Sequence, residues 1–265
     1  MAANTYPQAR NICMNRGEER SKVPEVTLIF WTIKILATTL GETGGDAASM
    51  SLDLGYAVSS FIFIGIFVVA VIAQISAKAF HPWLYWLVVI ATTTAGTTMA
   101  DFADRSLDIG YPGGASLLFL LLMISLLVWY RSAGSISVNT VATPKIEMFY
   151  WVSILFSQTL GTALGDWMAD TNGLGYQGGA LVFTAGLAVI AAAYFWTNIS
   201  RTLLFWAAFI LTRPLGATLG DFFDKPLDAG GLAFGRFYAT GILAAVIVAC
   251  LVFLPQRAGS HAGKA

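Results

Sequence analysis

Residues 151–166, WVSILFSQTLGTALGD, contain the pattern that decides the fold, because the chain repeats it four times. In every copy nine residues separate a Trp from a Gly, and three more residues separate that Gly from a Gly–Asp or Ala–Asp pair. The four copies are 31–46, 86–101, 151–166 and 206–221. Their Trp residues are spaced by 55, 65 and 55 residues, which indicates a two-helix unit that was duplicated and then duplicated again.

The composition around these repeats is typical of a membrane protein. The 265 residues are 57% hydrophobic and 11% charged, whereas soluble domains carry about 25% charged residues. Eight apolar windows reach about 20 residues with their flanking Gly, Thr and Ala, which is long enough to cross the hydrocarbon layer. We therefore expect an all-α integral membrane protein with eight transmembrane helices. Its four two-helix repeats would enter the membrane in parallel, with the odd-numbered helices at the centre.

The repeats and the charges together predict the organisation of the chain in the membrane. Ten basic residues lie on the side of the N-terminus and three on the opposite side, so the positive-inside rule places both termini and the linker in the cytoplasm. The segments are an N-terminal tail 1–25, repeat one 26–80, repeat two 81–131, a linker 132–145, repeat three 146–200, repeat four 201–254 and a C-terminal tail 255–265.

A row of oxygen-bearing side chains runs along one face of the odd-numbered helices. Positions 8, 11 and 15 after each Trp share a face, because residues three and four apart stack along a helix. The last position is always an aspartate, and we predict these four with Glu42 as a site for a hard cation: Asp46, Asp101, Asp166 and Asp221. The other polar positions of the row form a secondary path: Thr39, Thr94, Thr97, Thr159 and Thr162. Repeat four keeps only its aspartate.

A second set of acids follows the repeat aspartates by three or four residues: Asp104, Asp170 and Asp224. We assign them to the same path, and a solvated loop is the alternative interpretation. Each repeat aspartate lies about 28–30 Å along its helix, so the site is either an outward vestibule or a deeper one.

Small residues recur at positions 10 and 14 after each Trp, which predicts close contacts between the odd-numbered helices. Packing explains the glycines but not the adjacent aspartates. We expect the Trp residues to anchor at the membrane interface and Lys34 to extend towards the cytoplasmic interface. Arg213 would either pair with Glu42 or stand beside Pro214 in a broken helix.

No catalytic motif appears in the sequence. A phosphate loop, a dinucleotide fingerprint, a nucleophile–base pair and a His or Cys cluster are all missing, so we expect no enzyme, no cofactor and no nucleic-acid partner. The expected partners are the lipid bilayer and a small ion or solute. Without thiolate or imidazole ligands, Zn²⁺ and Cu⁺ are disfavoured as ions.

Three segments resemble a family of bacterial inner-membrane proteins of unassigned function: 98–111 (TMADFADRSLDIGY), 162–176 (TALGDWMADTNGLGY) and 217–231 (ATLGDFFDKPLDAGG). The family consists of four tandem repeats, each with two membrane segments and a characteristic Trp. The resemblance covers residues 26–254 and implies this architecture and an inner-membrane location, but no substrate. Repeat one departs most, since small residues follow Asp46, and this argues against a strictly four-fold site.

The leading hypothesis is a transporter or channel for a divalent cation, Mn²⁺ or Mg²⁺, in which Glu42 couples ion movement to protons. Glu42 is the expected coupling residue because the equivalent positions hold Thr97, Thr162 and Ala217. One alternative is a proton-coupled carrier of a small organic solute. Another is a membrane scaffold or sensor that transports nothing.

Overall fold

The computed structural model describes residues 21–106, 109–171 and 173–259, and within these ranges the chain is helical without a β-strand. Residues 1–20 and 260–265 of the predicted tails lie outside the described residues. The eight long helices are α1 Leu28–Asp46, α2 Gly55–Ser76, α3 Pro82–Asp101, α4 Tyr111–Ala133, α5 Pro144–Asp166, α6 Gly175–Trp196, α7 Arg201–Asp224 and α8 Arg236–Phe253. The predicted all-α fold with two helices per repeat is confirmed.

The helix boundaries follow from local chemistry. At the start of α1, the Thr27 hydroxyl accepts the backbone N–H of Phe30 at 3.4 Å. Pro82 and Pro144 are the first residues of α3 and α5. The backbone N–H at this position has no acceptor within the helix, so proline, which lacks it, loses no hydrogen bond there. Helix α7 continues through Pro214, so the alternative of a broken helix beside Arg213 is wrong.

The four odd-numbered helices form the centre of the molecule. Helix α1 packs against α3 and α7, and α5 packs against the same two helices, which closes a four-helix ring. The even-numbered helices lie outside, with α2 against α3, α4 against α5, α6 against α7 and α8 against α1. The expected central position of the odd-numbered helices agrees with this arrangement.

Glycines set the spacing of the four-helix ring. A Cβ added at Gly41 would overlap Thr93, and one added at Gly216 would overlap Thr38. The same relation links the other two interfaces, where Gly96 meets Gln158 and Gly161 meets Arg213. The predicted close contacts are therefore present around the whole ring. The residue that meets each glycine stands seven positions after a Trp, and nothing in the repeated pattern had marked that position as part of an interface.

The outer surface is apolar. Five helices, α2, α4, α6, α7 and α8, are long and apolar enough to cross a membrane. The exposed side chains of α2 and α6 include Phe61 and Leu181, which are 77% and 71% accessible. Helices α1, α3 and α5 carry the polar rows and are enclosed by their neighbours. This distribution is consistent with a membrane protein.

One end of the ring is aromatic, and we call it the aromatic end. It contains Trp86, Trp151 and Trp206, which are buried in contact with Tyr85 and Tyr150. The expectation that the repeated Trp residues anchor at an interface is wrong for these three. Their position on each helix directs them into the ring, where the side chains of Tyr85 and Tyr150 lie between them.

Three separate chain segments cover the aromatic end: residues 21–25, 136–141 and 256–259. The N–H of Lys22 bonds to the carbonyl of Val141 at 2.8 Å, and an isolated β-bridge joins Pro24 to Ala258. The indole N–H of Trp86 donates to the Gln256 side chain at 3.2 Å. Residues near both termini and the linker therefore meet at one end of the ring.

Candidate cation-binding site

The four repeat aspartates gather at the other end of the ring, which we call the acidic end. Asp46, Asp101 and Asp166 are the last residues of their helices, and Asp221 lies in the last turn of α7. All four are buried. A single π-helical turn follows each of the first three, at Ala47–Ser51, Phe102–Ser106 and Trp167–Thr171. Such turns are rare and occur frequently at functional sites.

Three of the predicted ligands lie close enough to share one ion. Glu42, Asp166 and Asp221 each offer a carboxylate oxygen, and these oxygens lie within 4.8 Å of one another. Ligand oxygens on opposite sides of Mg²⁺ or Ca²⁺ are about 4–5 Å apart, so small movements would bring all three to one ion. A second group of three, Asp46, Asp221 and Asp224, meets the same distance limit.

Two basic side chains bridge the repeat aspartates in pairs. Arg105 contacts Asp101 at 3.1 Å and Asp166 at 3.6 Å, joining α3 to α5. Lys225 contacts Asp46 and Asp221, both at 3.0 Å, joining α7 to α1. The two bridges occupy equivalent positions in the duplicated halves of the chain. Arg105 in repeat two and Lys225 in repeat four each stand four residues after the aspartate of their own repeat.

These bridges were missed in the sequence, although their spacing was visible. A base four residues after an acid on a helix is a recognisable ion-pair signal. Burial lowers the pKa of the Lys225 ammonium, but the carboxylates of Asp221 and Asp46 outweigh burial and raise that pKa above the ordinary value of lysine. Lys225 therefore stays charged and competes with any cation for the same two carboxylates.

Acids outnumber bases at this end of the protein. Arg236, at the start of α8, adds a third counter-charge and contacts Asp224 at 2.8 Å. Among the described residues near the site, seven acids face four bases, a formal excess of three acids. The acids are Glu42, Asp46, Asp101, Asp104, Asp166, Asp221 and Asp224, and the bases are Arg105, Arg213, Lys225 and Arg236.

Asp104 and Asp170 differ although the sequence grouped them. Asp104 is buried against Gly114, and neither of its carboxylate oxygens has a hydrogen-bond partner within the described part of the chain. Burial raises the pKa of Asp104 to about 6, while the Arg105 charge opposes that rise. Asp170 is exposed and accepts the Tyr111 hydroxyl at 3.1 Å.

Arg213 ties the four helices of the ring together below the repeat aspartates. Its guanidinium is fully buried and contacts the Glu42 carboxylate at 3.0 Å. It also donates to the hydroxyls of Thr97 at 2.5 Å and Thr162 at 2.6 Å. The pair that the sequence offered as an alternative, Glu42 with Arg213, is therefore present. Glu42 is held by Arg213 and at the same time belongs to the group of three acids.

The threonines of the predicted path form two kinds of hydrogen bond. Thr97 and Thr162 serve as acceptors for Arg213. The other three donate to carbonyls of their own helices, at distances of 2.9–3.0 Å: Thr39 to Ile35, Thr94 to Ile90 and Thr159 to Leu155. In these three bonds the hydroxyl donates, so its oxygen can still accept a hydrogen bond or bind a cation, and their place in the path stays a prediction.

Lys34 lies inside the ring, and the expectation that it extends to an interface is wrong. Its side chain is fully buried on the ring side of α1. The ammonium lies 3.5 Å from the Gln158 side-chain oxygen and 4.1 Å from the ring centre of Phe209. No carboxylate of the described residues forms a salt bridge with it. The sequence showed Lys34 near a helix end, but not which face of α1 the ring would enclose.

The fold and the site together define an all-helical repeat protein, with an acid-rich cluster at one end of a central ring. The chain belongs to the family described as Repeat of Unknown Function (DUF347), whose model matches residues 29–80, 84–135, 149–200 and 204–256. Each match contains one two-helix repeat. The predicted membership in a four-repeat family of unassigned function is thus confirmed. Comparison with curated proteins and with solved structures gave no significant match.

Proposed function

We propose that this protein is a multi-pass inner-membrane transporter for a hard divalent cation, Mn²⁺ or Mg²⁺. The observation that carries the proposal is the buried group of Glu42, Asp166 and Asp221, whose oxygens lie within 4.8 Å of one another. Three carboxylates without thiolate or imidazole partners favour hard ions. The excess of negative charge at the acidic end favours a cation over an anion.

The proposed orientation places the aromatic end in the cytoplasm. All eight helices would cross the membrane, and each repeat would enter in the same direction because it contains two crossings. The apolar outer surface and the ten-to-three asymmetry of basic residues support this topology. Reporter fusions after residue 140 and at the C-terminus test it. Both should report cytoplasm, and a periplasmic signal at either position would contradict the topology.

The arrangement favours a carrier over an open channel. Buried aromatic side chains fill the ring at the aromatic end, and three chain segments cover them. The Arg213 guanidinium, a fixed positive charge, lies across the middle of the ring. A cation would therefore need a conformational change to pass, as in alternating access.

Binding of Mn²⁺ to the purified protein tests the proposal directly. Asp166→Asn should weaken Mn²⁺ binding by about tenfold or more, because it removes one anionic ligand. Asp228→Asn removes the same charge from an exposed position and is the matched control. Transport of Mn²⁺ into proteoliposomes should follow the same order. Equal binding by both variants, or none by the native protein, would refute the site.

A proton-coupled carrier of a small organic solute is the second candidate. Two buried cations, Lys34 and Arg213, lie inside the ring and favour it, because a carboxylate of a solute would find counter-charges there. Transport assays with each kind of substrate separate the two functions. An organic acid or amino acid that is transported without Mn²⁺ would support the second candidate, whereas transport of Mn²⁺ alone supports the first.

A further inference from the structure

We infer that Lys34 is the proton-binding residue of the transport cycle, and that it releases its proton when the divalent cation binds at the acidic end. The inference rests on the proposed function. It assigns the coupling to a lysine in the interior of the ring rather than to Glu42, whose carboxylate is already paired with Arg213 at 3.0 Å.

The surroundings of Lys34 suit a group that is sometimes neutral. Its side chain is fully buried, and within the described residues its ammonium has one hydrogen bond, the 3.5 Å contact to the neutral side chain of Gln158. The Phe209 ring, 4.1 Å away, favours the charged form, whereas burial without a carboxylate partner disfavours it. A buried ammonium is expensive unless a carboxylate pairs with it. A neutral amine in the same place keeps the contact to Gln158 without the free-energy cost of burying an unpaired charge. Lysines change protonation readily when they are buried.

Arg213 is the charged group that acts on Lys34. Helix α7 has no other ionisable side chain between Arg201 and Asp221. The remaining helices that face α1 offer none nearby: α3 has none between Tyr85 and Asp101, α5 none between Tyr150 and Asp166, and α8 none between Tyr238 and Cys250. The nearest acid on α1 itself is Glu42, two helical turns away.

Arg213 also connects Lys34 to the cation site. Its charge is offset by Glu42, which is one of the three proposed ligands. When a divalent cation takes the Glu42 carboxylate, Arg213 loses that compensation and repels the Lys34 ammonium more strongly. The Nζ–H bond then breaks, the electron pair stays on the nitrogen, and the proton passes to water. When the cation leaves, Glu42 again compensates Arg213 and Lys34 takes up a proton.

The alternative is that Lys34 serves only as a permanent charge that positions Gln158. Two substitutions separate the roles. Arginine keeps the charge and does not lose its proton in proteins, whereas methionine is neutral and of similar length. A positioning role therefore predicts that Lys34→Arg works and Lys34→Met fails. A proton-binding role predicts that Lys34→Met still binds the cation, whereas Lys34→Arg binds it more weakly.

The experiment measures proton release in weakly buffered detergent solution while Mn²⁺ is added to the purified protein. We expect Lys34→Met to bind Mn²⁺ at least as tightly as the native protein but to release about one proton fewer per ion. Lys34→Arg should also release fewer protons and bind Mn²⁺ more weakly. Lys78→Met removes an exposed lysine and should behave like the native protein. Unchanged proton release from Lys34→Met would overturn the inference.

A second measurement needs no metal, so it separates failure of this inference from failure of the proposed function. Nitrogen NMR of lysine side chains, with Lys34→Met to assign the signal, follows the protonation of Lys34 directly. We expect this signal to change between the charged and the neutral form as the pH is varied, because a proton-binding residue must occupy both forms. A Lys34 signal that stays constant would overturn the inference even if Mn²⁺ binds. Absence of Mn²⁺ binding with a titrating Lys34 would instead refute the cation site and leave the proton site standing.

Discussion

The two ends of the four-helix ring use the same helices but opposite chemistry. At the acidic end, repeat aspartates are bridged in pairs by Arg105 and Lys225 and still carry excess negative charge. At the aromatic end, Trp and Tyr side chains pack on one another and are covered by three chain segments. The aromatic end is filled by its own ring contacts, although the indole N–H groups of Trp129 and Trp151 have no acceptor among the described residues, whereas the acidic end has more carboxyl groups than bases. The difference supports the proposed placement of the ligand at the acidic end and of a closure at the aromatic end.

The largest expected effect comes from the residue that lies between the two ends. Arg213→Met should destabilise the protein by about 3–5 kcal/mol, because it leaves Glu42 buried without its counter-charge. Thermal unfolding in detergent measures the loss. The double variant with Glu42→Gln should recover much of it, since no unpaired charge remains. A double variant as unstable as Arg213→Met alone would show that Arg213 acts by packing and not through Glu42.

The second prediction concerns the close spacing of the four ring helices, on which both ends of the ring depend. Gly216→Ala should destabilise the protein by about 1–3 kcal/mol, because its Cβ would overlap Thr38 across the α7–α1 interface. Gly65→Ala is the matched control, since a Cβ at this exposed helical position meets nothing within 4 Å. Equal melting temperatures for the two variants would remove glycine packing as the basis of the ring.

The third prediction uses pH to examine the charge excess at the acidic end. Burial raises the pKa of Asp104 to about 6, above the ordinary value of 3.8. The folded protein therefore binds this proton more tightly than the unfolded chain does, so stability falls as pH rises from the ordinary value towards and through about 6. Asp104→Asn should stabilise the protein above that pH, by on the order of 1 kcal/mol, and the gain should fade in acid. A gain in stability that does not depend on pH would show that ionisation of Asp104 does not destabilise the folded protein.

The smallest effect is expected at the aromatic end. Gln256→Ala removes the acceptor of the Trp86 indole N–H, a half-buried hydrogen bond worth about 0.5–1 kcal/mol. Mn²⁺ affinity should not change, because the proposed site lies at the other end of the ring. A changed affinity, measured beside the change in melting temperature, would show that the two ends are coupled in the resting protein.

Much of the architecture was predictable from sequence because it is encoded locally. The spacing of Trp, Gly and Asp predicted four two-helix repeats, and residues three and four apart predicted one polar face on each odd-numbered helix. In the structure, three acids of this row, Glu42, Asp166 and Asp221, have carboxylate oxygens within 4.8 Å of one another. The same row includes Thr39, Thr94 and Thr159, whose hydroxyls donate to carbonyls of their own helices, a bond that the positions of the residues along the sequence did not reveal.

The tertiary structure alone decided how the charges are paired and which apolar faces are enclosed. Lipid and protein interior are both apolar, so hydropathy does not distinguish a Trp or Lys that faces the ring from one that faces the bilayer. This is why the burial of Trp86 and Lys34 did not follow from the sequence. Arg213 and Glu42 are 171 residues apart, and Lys225 and Asp46 are 179 apart. The sequence by itself determined the repeats, the helices and the positions of the acids along them, whereas partners so distant along the chain meet only when the ring closes and sets the order of its four helices.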